Sequence, residues 1–173
     1  MRRRFLGPIV AGLLCLTLAA PAAAKGPPTI TRIGPSGIPA DVLAGTCDFP
    51  VEVVDTFSNS KAMEFPPQPN GDQVVRYTGG FRSTITNLDT GRSLQISYFG
   101  TGHYLFRSDG VIDIHGGGSV LVWFYPEDVL SAFDPGIYLM TGRTHFVVDA
   151  ATGLALQPAE INGKVVDLCA ALS

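Results

Sequence analysis

Hydrophobic and polar residues alternate in short runs along most of this chain. From Phe49 onward, stretches rich in Val, Ile, Thr, Phe and Tyr are separated by clusters of Gly, Asp, Asn and Pro. Alternation of period two between turn residues predicts strands. The runs fall at 49–56, 61–65, 73–78, 81–88, 92–99, 103–107, 111–115, 119–125, 137–141, 143–149 and 160–166. The closing stretch, 165–172, reads as a short helix, and no long helical period precedes it. This is the pattern of an all-β domain.

The turns share one form. Leu88-Asp89-Thr90-Gly91, Arg107-Ser108-Asp109-Gly110 and Ala150-Ala151-Thr152-Gly153 each end on glycine. A type I turn followed by a left-handed glycine makes a three-residue hairpin loop, so tight antiparallel neighbours and a meander are expected. The segment HYLFRSDGVIDIH (103–115) also fixes a register. With Ser108-Asp109-Gly110 as the loop, Phe106 opposes Ile112, Tyr104 opposes Ile114 and His103 opposes His115. That pairing puts the aromatic and aliphatic residues on one face, with His103, Arg107, Asp113 and His115 on the other. A slip of one residue would send a polar group into the core.

His115-Gly116-Gly117-Gly118 matches the HGGG run that forms the oxyanion hole of lipases and esterases. That chemistry also needs a G-x-S-x-G nucleophile elbow within alternating strands and helices, and the chain has neither. The glycines therefore read as a tight reversal between 111–115 and 119–125. Carried across them, alternation sets Val120, Val122 and Phe124 on the apolar side and Ser119, Leu121 and Trp123 with the histidines. In Arg143-Thr144-His145-Phe146-Val147-Val148-Asp149, His145 likewise falls on the less apolar side.

This mixed face carries the candidate chemistry. One reading is an outer sheet surface, since surfaces commonly expose apolar atoms. A second is the lining of a cleft for a small molecule or glycan. There Trp123 would stack, Arg107 or Asp113 would orient the ligand, and His103 and His115 would complete the set. A third is a metal or acid–base site: opposed on neighbouring strands, His103 and His115 lie about 5 Å apart at Cβ. With Asp113 or His145 they could hold zinc in an open site, although no H-E-x-x-H signature accompanies them. Glu52 and Asp55 read as a solvated face rather than a glycosidase pair.

The first residues change the setting. Three arginines, an apolar run from Phe5 to about Ala20 and the small residues Ala22-Ala23-Ala24 have the layout of a secretory signal peptide over 1–24. Arg2-Arg3-Arg4-Phe5-Leu6 also resembles the core of a twin-arginine signal. Either route predicts a secreted protein with no stable membrane insertion. Residues 25–45 hold four prolines and four glycines and read as a linker or extended arm, leaving 46–173 as the folded domain.

Removing 1–24 takes away three of the 12 basic residues, leaving 9 against 15 acidic ones, a net charge of −6. Scattered basic residues on an acidic chain argue against nucleic acid as a partner. Cys15 leaves with the signal, and Cys47 and Cys169 remain. An even pair in an oxidising compartment is expected to form a disulfide.

LAGTCDFPVEVVD near the start and GKVVDLCAALS at the end each carry one of these cysteines. In them the chain resembles exported all-β proteins of high-GC Gram-positive bacteria. The resemblance implies a compact β-fold closed by a disulfide and brings no activity or site residues with it. Consecutive hairpins favour a small barrel over a sandwich. The expected function is non-catalytic binding of a small ligand or surface, with no cofactor. The alternative is a barrel enzyme, a metal-assisted hydrolase or a cyclase, using His103, Asp113 and His115.

Overall fold

The alternating runs do become strands, but many of them join end to end. The computed structural model describes residues 26–173, so the signal read at 1–24 lies outside the described residues. The strands are β1 (Thr29–Arg32), β2 (Gly37–Ile38), β3 (Val51–Ser58), β4 (Lys61–Glu64), β5 (Gln73–Asn87), β6 (Ser93–Phe106), β7 (Val111–Phe124), β8 (Gly136–Asp149) and β9 (Glu160–Asp167). A short helix, α1 (Leu168–Leu172), follows, capped by the Asp167 carboxylate, which accepts from Ala170 N–H at 3.0 Å.

All pairings are antiparallel, in the order β1-β4-β5-β6-β7-β8-β9. β3 pairs with the far half of β5, and β2 pairs with β3. Thus β1 with β2, and β4 with β3, act as broken halves of two long strands beside β5. The sheet is an antiparallel meander, as the turns predict. It does not close into a barrel: among the described residues no ladder joins β9 to β1.

The joins between the runs are glycines inside strands. Gly79 pairs with Gly100, Gly100 with Gly118, Gly118 with Gly142, and Gly142 with Gly163. A single row of glycines therefore crosses the sheet from β5 to β9. Gly118 and Gly142 take φ of +101° and +129° in mid-strand, conformations that side-chain-bearing residues rarely adopt. A Cβ at Gly118 would strike Phe99 O, and one at Gly142 would strike Asn162 O. Glycine in a strand interior marks a sharp bend or a close backbone approach, and here it marks both. The His115-Gly116-Gly117-Gly118 run lies in this crease. It is not a turn: β7 runs through it, paired on both sides.

On one side of the crease the strands form one continuous sheet. On the other, β6 and β7 part, because their ladder ends at Gly100 and Gly118. The two leaflets then face each other. Val53, Ile85, Leu94, Ile96 and Tyr98 from β3, β5 and β6 pack with Leu121, Trp123, Ile137, Leu139 and Val166 from β7, β8 and β9. Cys47 and Cys169 form a disulfide, Cα–Cα 5.6 Å, that joins the approach to β3 with α1 at the edge of this core. A second core, around Val120, Val122, Phe124, Tyr138 and Met140, covers the other face of β7 and β8. Beyond the crease β7 is therefore packed on both faces, and Leu121 and Trp123 enter the inter-leaflet core rather than an outer histidine surface.

All three predicted turns form on their glycines, but only Ser108-Asp109-Gly110 is a three-residue loop: the other two close over four residues, with Asn87 N–H donating to Arg92 O and Asp149 N–H to Leu154 O. Gly91, Gly110 and Gly153 have φ of +73°, +84° and +75°. In the last of them the Asp149 carboxylate accepts from Ala151 N–H, Thr152 N–H and Thr152 Oγ1. Bonds to Thr152 lower its pKa below the ordinary carboxylate value. A lowered folded pKa means that this turn's contribution is present above the unfolded value and lost as pH falls through the folded one. Asp72, held chiefly by Ser108 N–H, shifts the same way. Urea midpoints measured below about pH 4 should fall less steeply for Asp149→Ala than for the native chain.

Candidate functional site

The crease gives the sheet a concave side. There lies a cavity of about 560 Å³, lined by Tyr77 and Phe81 of β5, Tyr98 and Tyr104 of β6, Ile114, Val120, Val122 and Phe124 of β7, and Thr144 and Phe146 of β8. By alternation these residues belong to the face predicted to be apolar from the 103–115 register, and beyond the crease Leu121 and Trp123, from the other face of β7, line the space as well. The crease glycines supply floor without side chains, which leaves room for the space. Two loops border it: the one before β8 contributes Asp128, and the one after β8 contributes Ala155, Gln157 and Ala159. Asp128, 8 % exposed, ties them together, its Oδ1 accepting from Ala155 N–H at 2.6 Å.

The electrostatics of the lining are plain. Its one ionisable acid is Asp128, already engaged with backbone, and it carries no Lys, Arg or His. Burial raises the pKa of Tyr77, Tyr98 and Tyr104 above the ordinary phenol value, so their hydroxyls stay protonated and neutral. Tyr98 Oη also accepts from Ser83 Oγ at 3.3 Å.

The opposite face of the same half-sheet is polar. One cross-strand row reads Met63, Arg76, His103, His115, His145, Glu160, each residue the ladder partner of the next. All three histidines of the chain stand side by side in it. His115 and His145 stack with ring centroids 4.2 Å apart and planes 4° apart. Both direct Nε2 to Asp113 Oδ1, at 3.1 Å and 2.9 Å. The Nδ1 of His145 is 3.6 Å from Glu160 Oε2.

The predicted site residues thus divide. His103, Asp113 and His115 share one face, and the His103–His115 pairing is the one read from the hairpin. The group whose donor atoms converge is Asp113, His115 and His145, with His103 as the next ladder position. Arg107 lies in the hairpin loop, ion-paired to Asp109, and lines neither the cavity nor the histidine groove. Trp123 is separated from the histidines by the crease. It lines the cavity, and its Nε1 donates to Tyr125 Oη at 3.1 Å. The sequence reading missed Arg76, Glu160 and the cavity tyrosines, because the pairings that bring β5 beside β6 and β9 beside β8 in this register are long-range and carry no local signal. Cys47 and Cys169 pair, as the even count predicts.

Among the described residues no helix is long and apolar enough to cross a membrane. No family model matches the chain, and neither a curated protein nor a solved structure matches it.

Proposed function

We propose that this is an exported binding protein that takes a neutral, largely apolar small molecule into the cavity at the crease. The observation that supports this most directly is the lining: aromatic and aliphatic side chains, neutral hydroxyls and no free charge around about 560 Å³. Ligand sites of small-molecule binders span roughly 300–1,000 Å³, mostly apolar with a few polar groups to set orientation. Tyr77, Tyr98 and Tyr104 supply those groups here as hydrogen-bond donors or acceptors. A charged ligand would lose its hydration without gaining a counter-ion. The signal read at 1–24 and the disulfide support an extracellular setting.

A neutral fluorescent probe, N-phenyl-1-naphthylamine, tests the proposal. It should bind one molecule per chain and quench the single tryptophan, Trp123, which lines the cavity. Val120→Phe fills part of the space and should weaken binding about tenfold while the circular dichroism stays native. Probe binding that Val120→Phe leaves unchanged, or none at all, would overturn the cavity as the binding site.

A further inference from the structure

We infer that Asp113, His115 and His145 bind one divalent transition-metal ion on the face opposite the cavity. This inference is independent of the cavity. Asp113 and His115 are two residues apart on β7, so both side chains leave the same face. His145 is the ladder partner of His115 on β8, so hydrogen-bonded backbone sets the spacing of all three positions. Their donor atoms lie within 4.8 Å of one another.

Donors about 2.0–2.2 Å from a tetrahedral zinc lie roughly 3.3–3.6 Å from each other. The two nitrogen–oxygen separations, 3.1 Å and 2.9 Å, are already close to that spacing. The remaining separation, between the stacked imidazoles, closes by turning the His115 ring. That side chain is 59 % exposed, so the turn displaces little. His145 is the more enclosed ring, at 22 %, and has Glu160 beside its Nδ1. Brought from 3.6 Å to hydrogen-bond distance, that carboxylate would fix the tautomer and leave Nε2 free for the metal. Two imidazoles and one carboxylate suit zinc or copper rather than calcium or magnesium. Three protein ligands leave a fourth position for water or a small anion, and Arg76 and Arg143 line the same groove.

The test is calorimetric titration of chelator-treated full chain with Zn²⁺, and with Co²⁺ to read the visible absorption of a tetrahedral site. The expected result is one ion per chain with micromolar or tighter affinity. His115→Ala removes an exposed ligand without opening the core and should weaken binding about tenfold or more, as should Asp113→Asn. Both variants should keep the native circular dichroism and the disulfide. No saturable binding in the native chain would overturn the site. So would affinity unchanged by Asp113→Asn, or binding lost on His103→Ala and retained by His145→Ala.

Discussion

Removing the disulfide, by Cys47→Ala with Cys169→Ala, should lower stability by about 4–5 kcal/mol in the chain-entropy model. The bridge spans 122 residues, nearly the whole folded chain, so the loop it closes in the unfolded state is long. Its place in the fold adds a second reason. β6 and β7 part beyond the crease, so the leaflets are held together there by the apolar core and by this covalent tie. Thermal unfolding should show the loss as a midpoint lower by about 8–20 °C for a domain of this size. Reductant should produce the same shift in the native chain and none in the double variant. A shift under about 2 °C would mean that the inter-leaflet core holds the open end unaided.

Hairpin chemistry was well legible in the sequence. The glycine-terminated turns and the 103–115 register follow from local rules, and local rules govern them in the fold; the cysteine pair, 122 residues apart, was legible from its even count alone. The mid-strand glycines were not legible in that way. Gly79-Gly80, Gly100, Gly116–Gly118 and Gly142 each divided one long strand into two short ones on paper. A glycine supports a positive φ in a turn and in a bent strand alike, and only the partners across the ladder distinguish the two. Those partners are themselves glycines, in other strands far along the chain. Reading Gly116–Gly118 as a turn set 119–125 beside 111–115, where β8 in fact lies. It therefore removed the neighbour that brings His145 to His115 and Asp113. The face assignments survived because the alternation runs unbroken through the glycines. The burial of Trp123 did not, because the parting of β6 from β7 depends on the whole sheet.

The crease should be as sensitive to substitution as the disulfide is to removal. Gly142→Ala combines two costs. The φ of +129° is unfavourable for any residue with a Cβ, and the new methyl group would meet Asn162 O and, at 2.8 Å, Gly163 Cα. Backbone does not swing aside as a side-chain tip does, so the strands must separate. The sum is about 3–5 kcal/mol, from strained backbone and overpacking together. Gly153→Ala carries no packing cost and a milder dihedral one: its φ is +75°, and nothing lies within 4 Å of the added carbon. It should cost only the conformational part, about 1–2 kcal/mol. Urea unfolding of the pair reads the difference directly. Equal losses would mean that the strands at the crease yield and relieve both the contact and the dihedral strain. A larger loss at Gly142 would show that the crease demands more of its glycine, in dihedral angle and in backbone approach together, than a surface turn does. Gly142 lines the cavity and stands three residues before His145, so surviving Gly142→Ala protein should also bind the naphthylamine probe less tightly than Gly153→Ala.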